Sequence, residues 1–215
     1  MLLPALLAGA SASAQRKPIA LLPLGNPGAL VEVESDLAHR ARDRGAANAL
    51  IALSEEGAQV IAGSAEPLRA WLKGHDAAPW FAARRTDAAY AACDGTAGIT
   101  TGYWQGGWYT MVWHRQKALN YRMVLAAAGP AAAPPAAPDW ITGKVADCPP
   151  RGEAAPGLRP LPAPLPALAG AADRIDTRSD DGSLVWARAR GADGAPILAV
   201  WLWRDGAWLR VGAQG

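Results

Sequence analysis

Apolar positions in "LVEVESDLAHRARDRGAANALIAL", from Leu30, recur at helical spacing. Val33, Leu37 and Ala41 stand at i, i+4 and i+8, and Asp36 and Arg40 form an i,i+4 pair on the polar side. Gly45 interrupts the pattern and predicts a kink or a second short helix. "GAQVIAG" then reads as a short strand. Ser64 is placed to cap a helix that carries Pro67 in its first turn and runs through "PLRAWLKGH". After Pro79 the period changes to two. "WFAARRTDAAYAA", "TAGITTGYW", "WYTMVWHRQ" and "NYRMVLAAA" predict four strands joined by short turns.

The later part of this pattern recurs at the end of the chain. "DDGSLVWARARG", "PILAVWLWRDG" and "AWLRVGA" align with "CDGTAGITTGYWQGG", "WYTMVWHRQ" and "NYRMVLA". Asp94-Gly95 matches Asp181-Gly182, and His114-Arg115 matches Trp203-Arg204. The repeat covers a β-meander without the helices, three strands by this reading. Between the copies, Pro130 to Pro166 holds 11 of the 18 prolines. Proline fixes φ and removes a backbone donor, so no helix or central strand runs through such a stretch. It predicts an extended linker with a short ordered piece around "DWITGKVADC". The expected organisation is residues 1–14 as a signal peptide, 29–128 as an α+β domain, 129–172 as a Pro/Ala-rich linker and 173–215 as a C-terminal β-meander.

Composition narrows the function classes. With 21 Lys and Arg against 19 Asp and Glu and no basic run, the chain lacks the clustered positive charge of a nucleic-acid footprint. Leu2 to Ala10 is an apolar core followed by the small-x-small site Ala12-Ser13-Ala14, as in an export signal. The expected location is therefore periplasmic or secreted. No stretch is long and apolar enough for a membrane span. In an oxidising compartment Cys93 and Cys148 are candidates for a disulfide, worth about 4 kcal/mol by loop entropy, or else two buried thiols. No motif predicts a metal or cofactor. His39, His75 and His114 are scattered, and GxSxG, HExxH, GxGxxG and the P-loop are all missing.

The strands "DGTAGITTGYW", "YTMVWHRQ" and "YRMVL", following the helix–strand–helix start, resemble the nuclear transport factor 2-like (NTF2-like) superfamily, in particular its SnoaL-like, DUF4440-like exported bacterial members. The likeness spans about residues 33–128. It implies an α+β cone in which a curved antiparallel sheet wraps the N-terminal helices and leaves a pocket open at one end. Ketosteroid isomerases of that superfamily carry an aspartate after the first short strand, an acidic oxyanion donor on a later strand and a tyrosine on the first helix. Here "QVIAGSAEP" offers only Glu66, and the first helix has no tyrosine. Weak acid/base candidates are His114, Glu66 and Asp94. Tyr103, Trp104 and Trp108 flank the Gly106-Gly107 turn and, with His114, are the expected pocket residues. The expectation is a non-catalytic module that binds a small apolar or aromatic ligand or a partner protein, with a cyclase- or isomerase-like enzyme as the alternative. The resemblance also implies pairing through the sheet, in a homodimer or with the C-terminal repeat imitating the partner.

Overall fold

The computed structural model describes residues 24–117, 120–131, 135–148, 172–191, 194 and 196–212. The expected signal peptide and most of the expected linker lie outside these residues. Two helices, α1 (Pro27–Arg44) and α2 (Ala46–Leu53), open the fold and meet at Gly45. Asn26 caps α1 by accepting from the Gly28 N–H, with Pro27 in the first turn, and Asp36 pairs with Arg40 at 2.9 Å. Strands β1 (Ser54–Ala62) and β2 (Ser64–Pro67) lead to α3 (Leu68–Gly74) and a 3-10 turn at Ala78–Phe81. Ser64 does not cap a helix. Strand pairing takes Ser64–Pro67 into β2, and the Ser64 hydroxyl donates to Glu66 Oε1. The proline-led stretch "APWF" winds into the 3-10 turn, so the next strand begins only at Arg85.

The meander follows as β3 (Arg85–Ala91), β4 (Ala97–Trp104), β5 (Gly107–Arg115) and β6 (Tyr121–Pro130). A short edge strand β7 (Thr142–Val145) pairs in parallel with β3. The sheet order is β2-β1-β6-β5-β4-β3-β7, and the β1–β6 pair is also parallel, so this sheet is mixed rather than wholly antiparallel. The C-terminal sheet has four strands, not three: β8 (Ala172–Arg178), β9 (Leu184–Arg190), β10 (Pro196–Arg204) and β11 (Ala207–Val211), in the order β11-β10-β9-β8.

Three layers result. Leu30, Leu37, Leu50, Trp71 and Trp80 pack with Tyr109, Met111, Trp113 and Met123 between helices and first sheet. On the sheet's other face, Ile61, Ile99, Val112 and Leu125 meet Leu184, Leu198, Val200 and Leu202 of the second sheet. Each fully buried large aliphatic side chain in such a seam stabilises by about 1.5–3 kcal/mol relative to exposure. Among the described residues, no helix is long and apolar enough to cross a membrane.

The two Asp-Gly turns lock the layers reciprocally. The Asp94 N–H donates to Asp181 Oδ2 at 3.0 Å, and the Asp181 N–H donates to Asp94 Oδ2 at 2.9 Å. Gly95 and Gly182 have the same φ of 67°, a left-handed conformation that favours glycine. Matched groups exchanging matched bonds are what a local two-fold contact produces. Cys93 lies beside this junction, bonded through sulfur to Cys148 with a Cα–Cα distance of 5.1 Å, and its N–H donates to Ser183 Oγ.

Candidate functional site

The helix side of the first sheet contains a buried charged cluster that the strand pattern gave no reason to expect. On α1, Leu30, Glu34 and Leu37 fall at i, i+4 and i+7 and turn together toward the sheet. Glu34 Oε2 accepts from Arg84 Nη2 at 2.7 Å, and the Thr100 hydroxyl donates to Oε1. Trp113 Nε1 in turn donates to Thr100 Oγ1 at 2.8 Å. Arg84 reaches this point from the loop before β3. Its guanidinium lies 3.5 Å over the Tyr109 ring, a cation–π contact. The Tyr109 hydroxyl shares a 2.8 Å bond with Thr86 Oγ1. The Arg84 and Glu34 side chains are 4% and 3% exposed, so the pair is wholly desolvated.

Burial works against the Arg84 charge, but the Glu34 carboxylate, by its charge and its hydrogen bond, holds the Arg84 pKa above the ordinary value. Burial pushes the Tyr109 phenol well above its usual range, and the nearby Arg84 charge only partly opposes this. Tyr109 therefore stays protonated at neutral pH. A general base needs a lone pair facing open space beside the reacting proton. Both Glu34 oxygens instead face protein donors. Chemically the cluster is an internal ion pair braced by a hydroxyl and an indole.

The sequence-predicted residues do not form one pocket. Tyr103 and Trp108 are cross-strand partners on the side facing the second sheet, whereas Trp104 packs into the helix-side core. His114 lies at the far end of β5. Its Nδ1 is 3.0 Å from Glu55 Oε1, with side-chain exposures of 45% and 34%, which places it at a rim. Glu66 sits on edge strand β2 with Ser64 as its partner. Asp94 is committed to the turn, where Oδ1 accepts from the N–H and hydroxyl of Thr96. Among the described residues, no group of three or more His, Cys, Asp and Glu is placed to hold a metal.

Two clefts open elsewhere. One, of about 380 Å³, runs beside α1 and the start of β6, lined by Glu32, Asp36, Arg40 and Arg122 among others. The other, of about 400 Å³, lies between the two sheets and includes His114, Glu55, Trp186 and Arg188. Of the sequence-predicted pocket residues only His114 lines either cleft. Sequence reasoning missed Glu34 and Arg84. The available signal was the position of Glu34 inside the Leu30–Leu37 stripe.

No family model and no curated protein matches this chain. Among solved structures it is similar to a ketosteroid isomerase-like protein of Shewanella frigidimarina NCIMB 400, at 15% identity over 46% of this chain and 94% of that one, with a TM-score of 0.37. A ketosteroid isomerase-like protein of Parabacteroides distasonis ATCC 8503 gives 12%, 51%, 90% and 0.38 in the same order. An NTF2-like protein of Cytophaga hutchinsonii ATCC 33406 gives 9%, 50%, 100% and 0.37. Likenesses this low carry no argument about chemistry.

Proposed function

We propose that this chain is an exported, non-catalytic binding module of NTF2-like architecture, holding a small apolar or aromatic ligand or a partner protein. The observation that supports this reading most is the commitment of Glu34. Among the described residues it is the buried carboxylate on the helix side, and its oxygens are taken by Arg84 and Thr100. A proton-abstracting site in such a fold needs a desolvated carboxylate free to reach substrate. His114 lies at an exposed rim, Glu66 is bonded to Ser64 on an edge strand, and the Asp94 oxygens are taken by donors of the two turns.

A second reading, a cyclase- or isomerase-like enzyme, rests on that same residue, because a buried carboxylate released from Arg84 by substrate would be a base. Turnover of a Δ5-3-ketosteroid and of an aromatic polyketide, followed by absorbance, separates the two. The module reading predicts no rate above buffer. A rate abolished in a folded Glu34→Gln variant would replace it with the enzyme. Export is tested by fusing residues 1–30 to a reporter active only outside the cytoplasm; a silent fusion would remove that part.

A further inference from the structure

We infer that the cleft between the two sheets is a binding site for a small apolar carboxylate, with Arg188 as its anion contact. This deepens the proposed binding function and rests on it. The cleft of about 400 Å³ falls in the size range of sites for small organic ligands. It has an apolar wall and an unneutralised cation on that wall. Register sets Ile175 opposite Arg188 and Thr177 opposite Trp186 on β8 and β9, so these four side chains form one patch facing the first sheet. Leu125 of β6 contributes further apolar surface across from it.

Arg188 is half-buried, and among the described residues it makes no ion pair or hydrogen bond. A partly desolvated guanidinium recovers its lost hydration by binding a carboxylate through two parallel N–H donors. Arg178, also in the lining and exposed, adds positive charge at the rim. Two carboxylates line the cleft as well. Glu55 Oε1 is already engaged by His114 and by Gln116 Nε2 at 2.6 Å, and Asp180 is exposed on the turn.

The opposite wall is opened by an irregularity. Ser54 pairs with Met123 and Gln59 with Leu125, so five steps along β1 answer two along β6. The extra residues bulge out of the ladder at Glu55 to Ala58. Bulges of this kind re-aim side chains and recur beside functional sites. Gly57 stands in the bulge, lines the cleft and is exposed, and a Cβ placed there meets nothing within 4 Å. A side chain at position 57 therefore has room at the mouth of the cleft without strain on the fold.

The test uses the full oxidised chain and two isosteric probes, 2-naphthoate and its neutral amide 2-naphthamide, titrated by calorimetry. Naphthoate is expected to bind, and naphthamide to bind about tenfold more weakly, the scale of one charge-assisted hydrogen-bonded pair. Arg188→Gln should reduce naphthoate binding to the level of the amide, and Gly57→Trp should block both probes at an unchanged melting temperature. Absence of naphthoate binding, equal binding of the two probes, or naphthoate binding unaltered in both variants would overturn the inference. Should other apolar ligands still bind in those cases, the module reading survives without this site. Glu34-dependent turnover would remove the module reading while leaving the naphthoate result to stand by itself.

Discussion

The meander over Arg85–Pro130 and the meander over Ala172–Val211 are built on one pattern and end in different surroundings. Each places an Asp-Gly turn between its first two strands, with glycine φ of 67° in both. In the first copy one face carries Tyr109, Met111 and Trp113 against helices, and that layer includes a buried ion pair. In the second copy the corresponding far face carries Val185, Ala187, Ala199 and Trp201, with Trp208 packed beside them. Where the copies meet, the seam is mainly aliphatic, with Trp186 buried and Trp108 at its margin. The aromatic-rich strands thus send most of their rings away from the joint. Strand pattern specifies a sheet, and what each face touches decides which side chains it can carry.

If the helix layer distinguishes the first copy, breaking its ion pair should have the largest effect. Glu34→Ala leaves the Arg84 charge buried and unpaired and removes packing, so a loss of about 5 kcal/mol is expected by chemical denaturation. The double variant Glu34→Leu/Arg84→Met should recover most of that loss, since apolar replacement of a buried pair is often neutral. A loss below about 1 kcal/mol for Glu34→Ala would mean the pair is hydrated in solution.

The disulfide ties the linker segment to the junction of the copies. Its closed loop of 55 residues gives an entropic contribution of about 4 kcal/mol. Reduction should lower the denaturation midpoint accordingly, and mass spectrometry of the unreduced protein should find no free thiol. Two free thiols would contradict the pairing. The smallest effect is expected at the reciprocal turns. Asp181→Ala removes acceptors for the Asp94 N–H and for Ser183, at about 1–2 kcal/mol. Asp94→Ala should cost a similar amount, with the double variant losing less than the sum because the two turns share partners. Strict additivity would mean that the turns act independently.

Much of the fold was legible in the sequence because strong patterns were at work. The strands "TAGITTGYW", "WYTMVWHRQ" and "NYRMVLAAA" are rich in aromatic and β-branched residues, are bounded by turn residues, and match β4, β5 and β6 to within about two residues. The sequence "ADRIDTR" of β8 was not recognised because an edge strand with one half-exposed isoleucine carries almost no apolar alternation. Four-residue β7 is the short ordered piece expected around "DWITGKVADC", although its parallel pairing with β3 was not legible, and β2 forms only because β1 lies beside it. Glu34 and Arg84 were hidden differently. They are 50 residues apart, and a helix glutamate is usually a solvated one. The aromatic pocket was misjudged because Tyr103 and Trp104, adjacent on a strand, necessarily face opposite sides.

The second meander packs as an integral wall of one body rather than as a separate module. Differential scanning calorimetry of the oxidised chain, with Trp113→Ala in the helix-side core and Leu202→Ala in the second sheet, tests it most directly. Both side chains are 0% exposed, and truncation should remove about 3–5 and 2–5 kcal/mol respectively. One transition with equal calorimetric and van't Hoff enthalpies is expected, moved down by about 10 °C by either substitution. Two transitions, with Leu202→Ala shifting one and Trp113→Ala the other, would contradict it.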